Sequence, residues 1–234
     1  PAWLEEAFPD EFSEGVETRW DEVLRRVVSQ KGRRFRDLIL DQKESGTPDP
    51  EQTAVVMADR VKAGVLPVKS GDAGVRAWVA GVNVVAGAVR GGGVPLIDAA
   101  DERAILEQAL YGLTSAKQVK NAEVLPVLRQ WLSAEQQAAV AHAAPLRMKL
   151  PSGRETKIRY ESEGDPVLAA TVQHLYDLDR PLTICEGRVR LRVEVLGPNR
   201  RPIHITDDLS TFWGEAYERV KKDLKGRYPR HEWR

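Results

Sequence analysis

The 234-residue chain is expected to be an α+β protein, and three observations point there. Apolar residues recur at helical spacing through the middle, from about 49 to 143. At Leu146-Arg147-Met148-Lys149-Leu150 they switch to strict alternation, the period of a strand. A last amphipathic stretch, after Thr206, closes the chain. The predicted division is a β region over 1–48, a helical domain over 49–143 and a terminal α+β domain over 144–234, since the length exceeds that of one ordinary domain.

Residues 1–18 are acidic, with Trp3, Leu4, Phe8 and Phe12 among six carboxylates, and read as a surface segment pinned by its aromatics. Strands are predicted over Val16 to Trp20, Leu24 to Gln30 and Arg34 to Lys43, with a hairpin turn at Lys31-Gly32 between the last two. Ser45-Gly46-Thr47-Pro48 breaks the pattern. Asp49 then caps a helix with Pro50 in its first position, running to about Ala63 and stopping at Gly64. Further helices are expected after Asp72 as far as Gly91-Gly92-Gly93, over about Asp101 to Tyr111, over about Glu123 to Leu132, and from Ser133, which forms a capping box with Gln136.

The terminal part reads as β-β-α-β-β-α, an antiparallel sheet with helices on its apolar face. A hairpin turns at Pro151-Ser152-Gly153, Asp165-Pro166 opens a helix, Val189-Leu191-Val193-Val195 alternate in a strand, and Ile203 and Ile205 mark the last one. Thr206 or Asp207 is placed as the cap of the final helix, whose inward face is Leu209, Phe212, Trp213, Ala216, Tyr217, Val220 and Leu224. Lys221, Lys222 and Lys225 sit in its last turn, where the helix dipole favours cations, and Gly226 is expected in a left-handed stop.

The run Arg201-Pro202-Ile203-His204-Ile205-Thr206 through Phe212-Trp213, Tyr217 and Lys225-Gly226-Arg227-Tyr228-Pro229, ending at His231 and Trp233, resembles the carboxy-terminal signature of HrpB-type ATP-dependent helicases, of the DExH-box (DEAH/RHA) class. Ala144-Pro145, Leu150-Pro151-Ser152-Gly153-Arg154 and Ile158-Arg159-Tyr160 resemble the preceding part of the same domain. The resemblance implies that residues 1–48 hold the closing strands of an OB-like sheet, a partial antiparallel one. It implies too that the chain is the rear portion of a longer helicase, with which the first residue, Pro1 in place of Met, agrees. ATP and magnesium are then expected in motor domains outside this chain.

Lysine plus arginine equals aspartate plus glutamate at 35 each, so there is no global basic field, and any nucleic-acid surface has to be local. One cysteine, Cys185, excludes an internal disulfide and fits a reducing cytoplasm. No phosphate-binding loop of the form G-x-x-x-x-G-K-[ST] occurs, and Asp101-Glu102-Arg103-Ala104 lacks the histidine of a DExH box. The chain alone is therefore not expected to hydrolyse ATP. The four histidines have neither mutual spacing nor cysteine partners for a metal, Cys185 lacks a base partner, and Asp207-Asp208 reads as helix capping.

Two basic clusters stand out. The first holds Arg19, Arg25, Arg26, Lys31, Arg33, Arg34 and Arg36; the second, in the tail, holds Arg219, Lys221, Lys222, Lys225, Arg227, Arg230 and Arg234 with Tyr228 and Trp233. A third row, Arg188, Arg190 and Arg192 with Lys157 and Arg159, is expected across the outer face of the terminal sheet. Cations neutralise phosphates and aromatics stack on bases, which is how single strands of RNA or DNA are held. Solvated strand faces and a helix end matched to its dipole account for the same residues, and the tail aromatics can equally fold back on their own domain. The expected partners are single-stranded RNA or DNA and, in cis, the helicase motor. The other reading is a protein-interaction module that docks a partner through the acidic aromatic segment and the helical domain and touches no nucleic acid.

Overall fold

The computed structural model describes residues 6–68, 72–89 and 93–234, the side chains of Asp72 and Ala73 excepted. In chain order it contains β1 (Phe12–Asp21), β2 (Arg26–Phe35), β3 (Leu38–Glu44), α1 (Pro50–Lys62), α2 (Asp72–Ala88) and α3 (Ala99–Leu110). Next come α4 (Ala116–Asn121), α5 (Val124–Gln130), α6 (Ala134–Ala143), β4 (Arg147–Lys149), β5 (Glu155–Arg159), β6 (Val167–Thr171) and α7 (Val172–Leu175). The chain closes with β7 (Thr183–Ile184), β8 (Val189–Arg190), β9 (Arg192–Leu196), β10 (Pro202–Thr206), α8 (Leu209–Thr211), a π turn (Phe212–Ala216) and α9 (Tyr217–Lys225). The class is α+β. The chain forms two compact units, one from Pro1–Asp72 and Asp98–Trp131, the other from Ala73–Ile97 and Leu132–Arg234.

The first unit is built on an antiparallel meander, β1-β2-β3. Its turns lie where side chains and backbone conformations can make them. Asp21 accepts from the amides of Val23 and Leu24, and Arg25 and Arg36 adopt φ near 51°. Lys31-Gly32 is no turn: both residues are interior to β2, and Gly32 pairs with Gly15 on one side and Gln42 on the other. Val27 donates to Thr114 and Ala116 donates to Arg25, so the start of β2 is tied to the loop before α4. Trp20 and Val27 bury against Met57 and Ala58 of α1, Leu66, Leu110 of α3 and Val119 of α4, forming one apolar core.

In this unit α1, α3 and α4 start where hydrogen-bonding side chains stand, whereas α5 has no side-chain cap. Asp49 accepts from Gln52, and Gly64 has φ 73°, which only glycine adopts cheaply. Asp98 with Asp101, and Ser115 with Gln118, form capping boxes that open α3 and α4. The second of these was visible as S-x-x-Q in the sequence, yet α4 was not anticipated. Of the acidic segment, Trp3, Leu4 and Glu5 lie outside the described residues; Phe8 and Phe12 rest on Phe35, with centroids at 6.3 and 5.1 Å.

The second unit carries a mixed five-stranded sheet, ordered β10-β9-β6-β5-β4, with β6 and β9 parallel, and a separate pair β7-β8. The expected β-β-α-β-β-α order is therefore corrected. Val167–Thr171, expected to be helical, forms the central strand β6, in which Val167, Leu168 and Ala170 are buried. A central strand covered on both faces has no alternation, so its apolar run imitates a buried helix turn. The strand expected over residues 189–195 breaks at Leu191, whose amide donates to Leu182 while that of Arg192 donates to Pro166, and β8 and β9 belong to different sheets.

Around this sheet, Asn83 of α2 both donates to and accepts from the backbone of Ile97, at 2.9 and 2.8 Å. Tyr160 donates to the carbonyl of Pro145 at 2.8 Å, its ring lying against Gly81. Ser133 opens α6 with the capping box read from sequence. Gly91 and Gly92, placed as the stop of α2, lie outside the described residues. In the final helix the cap is Asp208, which accepts from Ser210, while Thr206 accepts from Asp208 itself. Gly226 stays right-handed at φ −66°. The π turn brings the amide of Tyr217 to the carbonyl of Phe212, so that Phe212, Ala216 and Tyr217 are all buried.

Candidate nucleic-acid interface

The cations of the first cluster lie on or beside β2, and the meander places a carboxylate within reach of most of them. Arg26 meets Glu44 at 2.8 Å, Lys31 meets Glu14 at 2.8 Å, and Arg34 meets Glu17 at 2.6 Å. Arg36 is bidentate on Glu11, at 2.7 and 2.8 Å. These contacts hold the Glu11 and Glu14 carboxyls below the usual carboxylate range, through the hydrogen bonds from Arg36 and Lys31. All the pairs are largely exposed, where an ion pair gains little over water and exchanges readily for another anion.

Strand alternation sorts these residues onto two faces. Lys31, Arg33 and Phe35 share one face with Phe12 of β1, whose partner is Phe35. There the Arg33 guanidinium stands 5.1 Å from the Phe12 ring and that of Arg36 5.6 Å from the Phe35 ring. The other face carries Gln30, Gly32 and Arg34 opposite Glu17, Gly15 and Ser13. Because Gly15 faces Gly32, two adjacent positions have no side chain, and a groove of about 360 Å³ opens there, lined also by Gln42 and Gln52. A reading that placed Gly32 in a turn could not see this groove. The signal for it was a second glycine, Gly15, at the matching distance across the true turn.

The third row is not brought together as expected. Arg188 follows a tight turn in which Cys185, Glu186 and Gly187 all have positive φ; Arg190 is on β8 and Arg192 on β9. Their carboxylate contacts are long, Arg188 to Glu186 at 3.9 Å, Arg190 to Asp207 at 3.8 Å and Arg192 to Asp165 at 3.6 Å. Arg159 is engaged by Glu194 at 2.8 Å. Cys185 is buried, which pushes its thiol pKa up and keeps it unreactive.

Residues 105–234 match the family model described as ATP-dependent helicase C-terminal, HrpB_C. The chain belongs to this family. The ATP-dependent RNA helicase HrpB of Escherichia coli (strain K12) is 36% identical over 143 residues, 59% of this chain and 18% of that protein. The solved E. coli DExH-box NTPase HrpB aligns with 100% of this chain and 29% of its own, at 25% identity and TM-score 0.73. The E. coli DEAH/RHA helicase HrpB structure aligns with 95% of this chain and 29% of its own, at 25% identity and TM-score 0.64. The chain thus spans under a third of the length of these relatives, as the C-terminal region of an HrpB-type helicase.

In this helicase region the tail cluster is engaged with its own unit. The Tyr176 hydroxyl donates to the carbonyl of Glu232 at 3.0 Å and pairs with the Tyr217 hydroxyl at 2.9 Å. Arg234 reaches both oxygens of Asp177, at 2.8 and 2.7 Å, with its guanidinium 4.8 Å from the Tyr176 ring. Trp233 donates to the carbonyl of Tyr228, whose ring meets His231 edge to face at 5.9 Å. Tyr228 is therefore half-buried, whereas Arg227 and Arg230 remain exposed. Among the described residues no group of three or more His, Cys, Asp or Glu is arranged to hold a metal ion, and no helix is long and apolar enough to cross a membrane.

Proposed function

We propose that this region is the strand-binding accessory part of an ATP-dependent RNA helicase, taking single-stranded RNA or DNA on the β1-β2-β3 meander. The observation that carries the reading is the face on which Phe12 and Phe35 are interleaved with Arg33 and Arg36. Rings stack on splayed bases and guanidinium groups take phosphates, a combination suited to single strands without sequence preference. The meander acts as the closing part of an OB-like sheet, a fold that commonly offers such a platform. Arg25, Arg26, Lys31 and Arg34 extend the cationic track along β2, and Arg188, Arg190, Arg192, Arg227 and Arg230, with Tyr228, form secondary contacts.

On this reading ATP and magnesium act in motor domains joined in cis, in the cytoplasm. A mobility-shift assay with a labelled single strand tests the binding; no shift at low salt refutes it. A scaffold that binds only protein is the second reading. It is favoured by Leu38, Ile39 and Leu40, 66, 52 and 42% exposed on the edge strand β3. A strand shift with the chain alone separates the two.

A further inference from the structure

We propose that the groove over Gly15 and Gly32 is a seat for one nucleobase bearing an exocyclic amino group. This deepens the strand-binding reading and rests on it. Neither glycine has a positive φ, so neither is required by the backbone. Glycine inside a strand weakens it, and where no turn demands it the position marks a close approach by something else. A Cβ added at Gly15 meets nothing within 4 Å, and one at Gly32 meets Gln42 at 3.6 Å and the carbonyl of Asp41 at 3.7 Å, ordinary contact distances. At these two facing positions the floor of the groove is backbone without side chains.

The second observation names the edge that the ring presents. Gln30 lines the groove, and its Oε1 is the one buried side-chain oxygen or nitrogen without a hydrogen-bond partner among the described residues. A buried acceptor left unpaired is costly, and its deficit is one N–H donor. Adenine, cytosine and guanine carry an exocyclic amine that supplies it; the one donor on the pairing edge of uracil, N3–H, sits between two carbonyl oxygens that Oε1 repels. The amides of Gln42 and Gln52 offer both donors and acceptors to the remaining edge.

The third is the gate. Arg34 stands opposite Ser13 and Glu17 opposite Gln30, with the glycine pair between them, so the Arg34–Glu17 ion pair at 2.6 Å runs along the bare floor. Both side chains are about half exposed, at 44 and 53%. A backbone phosphate competes with Glu17 for Arg34 and uncovers the seat, which couples phosphate contact to base contact.

The test is an NMR titration of the 234-residue chain with AMP, CMP, GMP and UMP, following the side-chain amides of Gln30, Gln42 and Gln52. The first three nucleotides are expected to move Gln30, with UMP at least about tenfold weaker, the factor that one unpaired acceptor gives. Gly15→Val fills the floor with a residue that favours strands, so it should keep the fold and abolish the shifts. Gln30→Met should keep the fold and erase the difference between UMP and the others. Equal shifts with UMP, or unchanged binding by Gly15→Val, overturn the seat. Nucleotides seating as described while no single strand binds would uphold the seat and refute the strand-binding reading instead; strands binding with no nucleotide shifts would do the reverse.

Discussion

Replacing Arg25, Arg26, Arg33 and Arg34 together by alanine should weaken single-strand binding in a way set by salt. Each phosphate contact on a single strand contributes about 0.7 to the slope of log affinity against log salt concentration, through counterion release. Four lost contacts flatten that slope by about 3, so between about 50 and about 200 mM salt the parent loses about 50-fold more affinity than the variant does. At low salt the variant should be weaker still than the count implies. Arg26 and Arg34 each hold a carboxylate, Glu44 at 2.8 Å and Glu17 at 2.6 Å, and their removal leaves both anions facing the incoming phosphates. Glu17→Gln should act in the opposite sense and tighten binding by releasing Arg34. Fluorescence anisotropy with a labelled oligonucleotide over a salt series measures all three proteins. Parallel salt slopes for parent and quadruple variant would refute the reasoning, whatever their affinities.

Phe212→Ala should cost about 3–5 kcal/mol, because the ring is fully buried and touches His204, Trp213 and Tyr217. For 234 residues unfolding together this lowers Tm by about 8 °C by calorimetry, whereas Ile205→Ala, at an exposed site, should change stability by under about 0.5 kcal/mol. Ser133→Ala removes the capping box of α6 and should lower the urea midpoint by the equivalent of about 1 kcal/mol with an unchanged m-value. The hydroxyl and amide of Ser210 hold the Asp208 carboxyl below its usual 3.8. Its folded pKa being the lower one, its contribution is complete above the unfolded value and disappears as pH falls through the folded one. Asp208→Asn should therefore flatten the loss of stability below about pH 4; urea midpoints that fall in parallel with the parent's would contradict this.

Where a side chain dictates local structure, the sequence could be read directly. Asp49-Pro50 and Ser133 with Gln136 start helices in the structure because short polar side chains satisfy free amides there. The hairpin β4-β5 and the inward face of the last helix were equally plain. Legibility failed where tertiary context decides. Val167–Thr171 is a strand because β5 and β9 flank it, something no local pattern records. Gly32 resembled a turn, and only pairing with Gly15 and Gln42 shows it to be mid-strand. The cations of β2 were recognised, but the carboxylates that hold them came from strands whose register was unknown. The row from Arg188 to Arg192 failed because the backbone changes partner there, Leu191 donating to Leu182 and Arg192 to Pro166, so that β8 and β9 fall in different sheets.

The way the two units share the polypeptide constrains any attempt to dissect it. Residues 73–97 leave the first unit and the chain re-enters it at Asp98, so neither unit is a continuous stretch. A protease that cleaves once within 73–97 leaves pieces of both units on separate polypeptides, each reassembled only by non-covalent contact. Trimming to the family boundary at residue 105 is worse, since it discards the two strands, β1 and β2, and the helix α1 that close over Leu110 and Val119. A shortened version able to fold needs a bridging linker in place of an excised segment, and this can be checked by limited proteolysis before any truncation is designed.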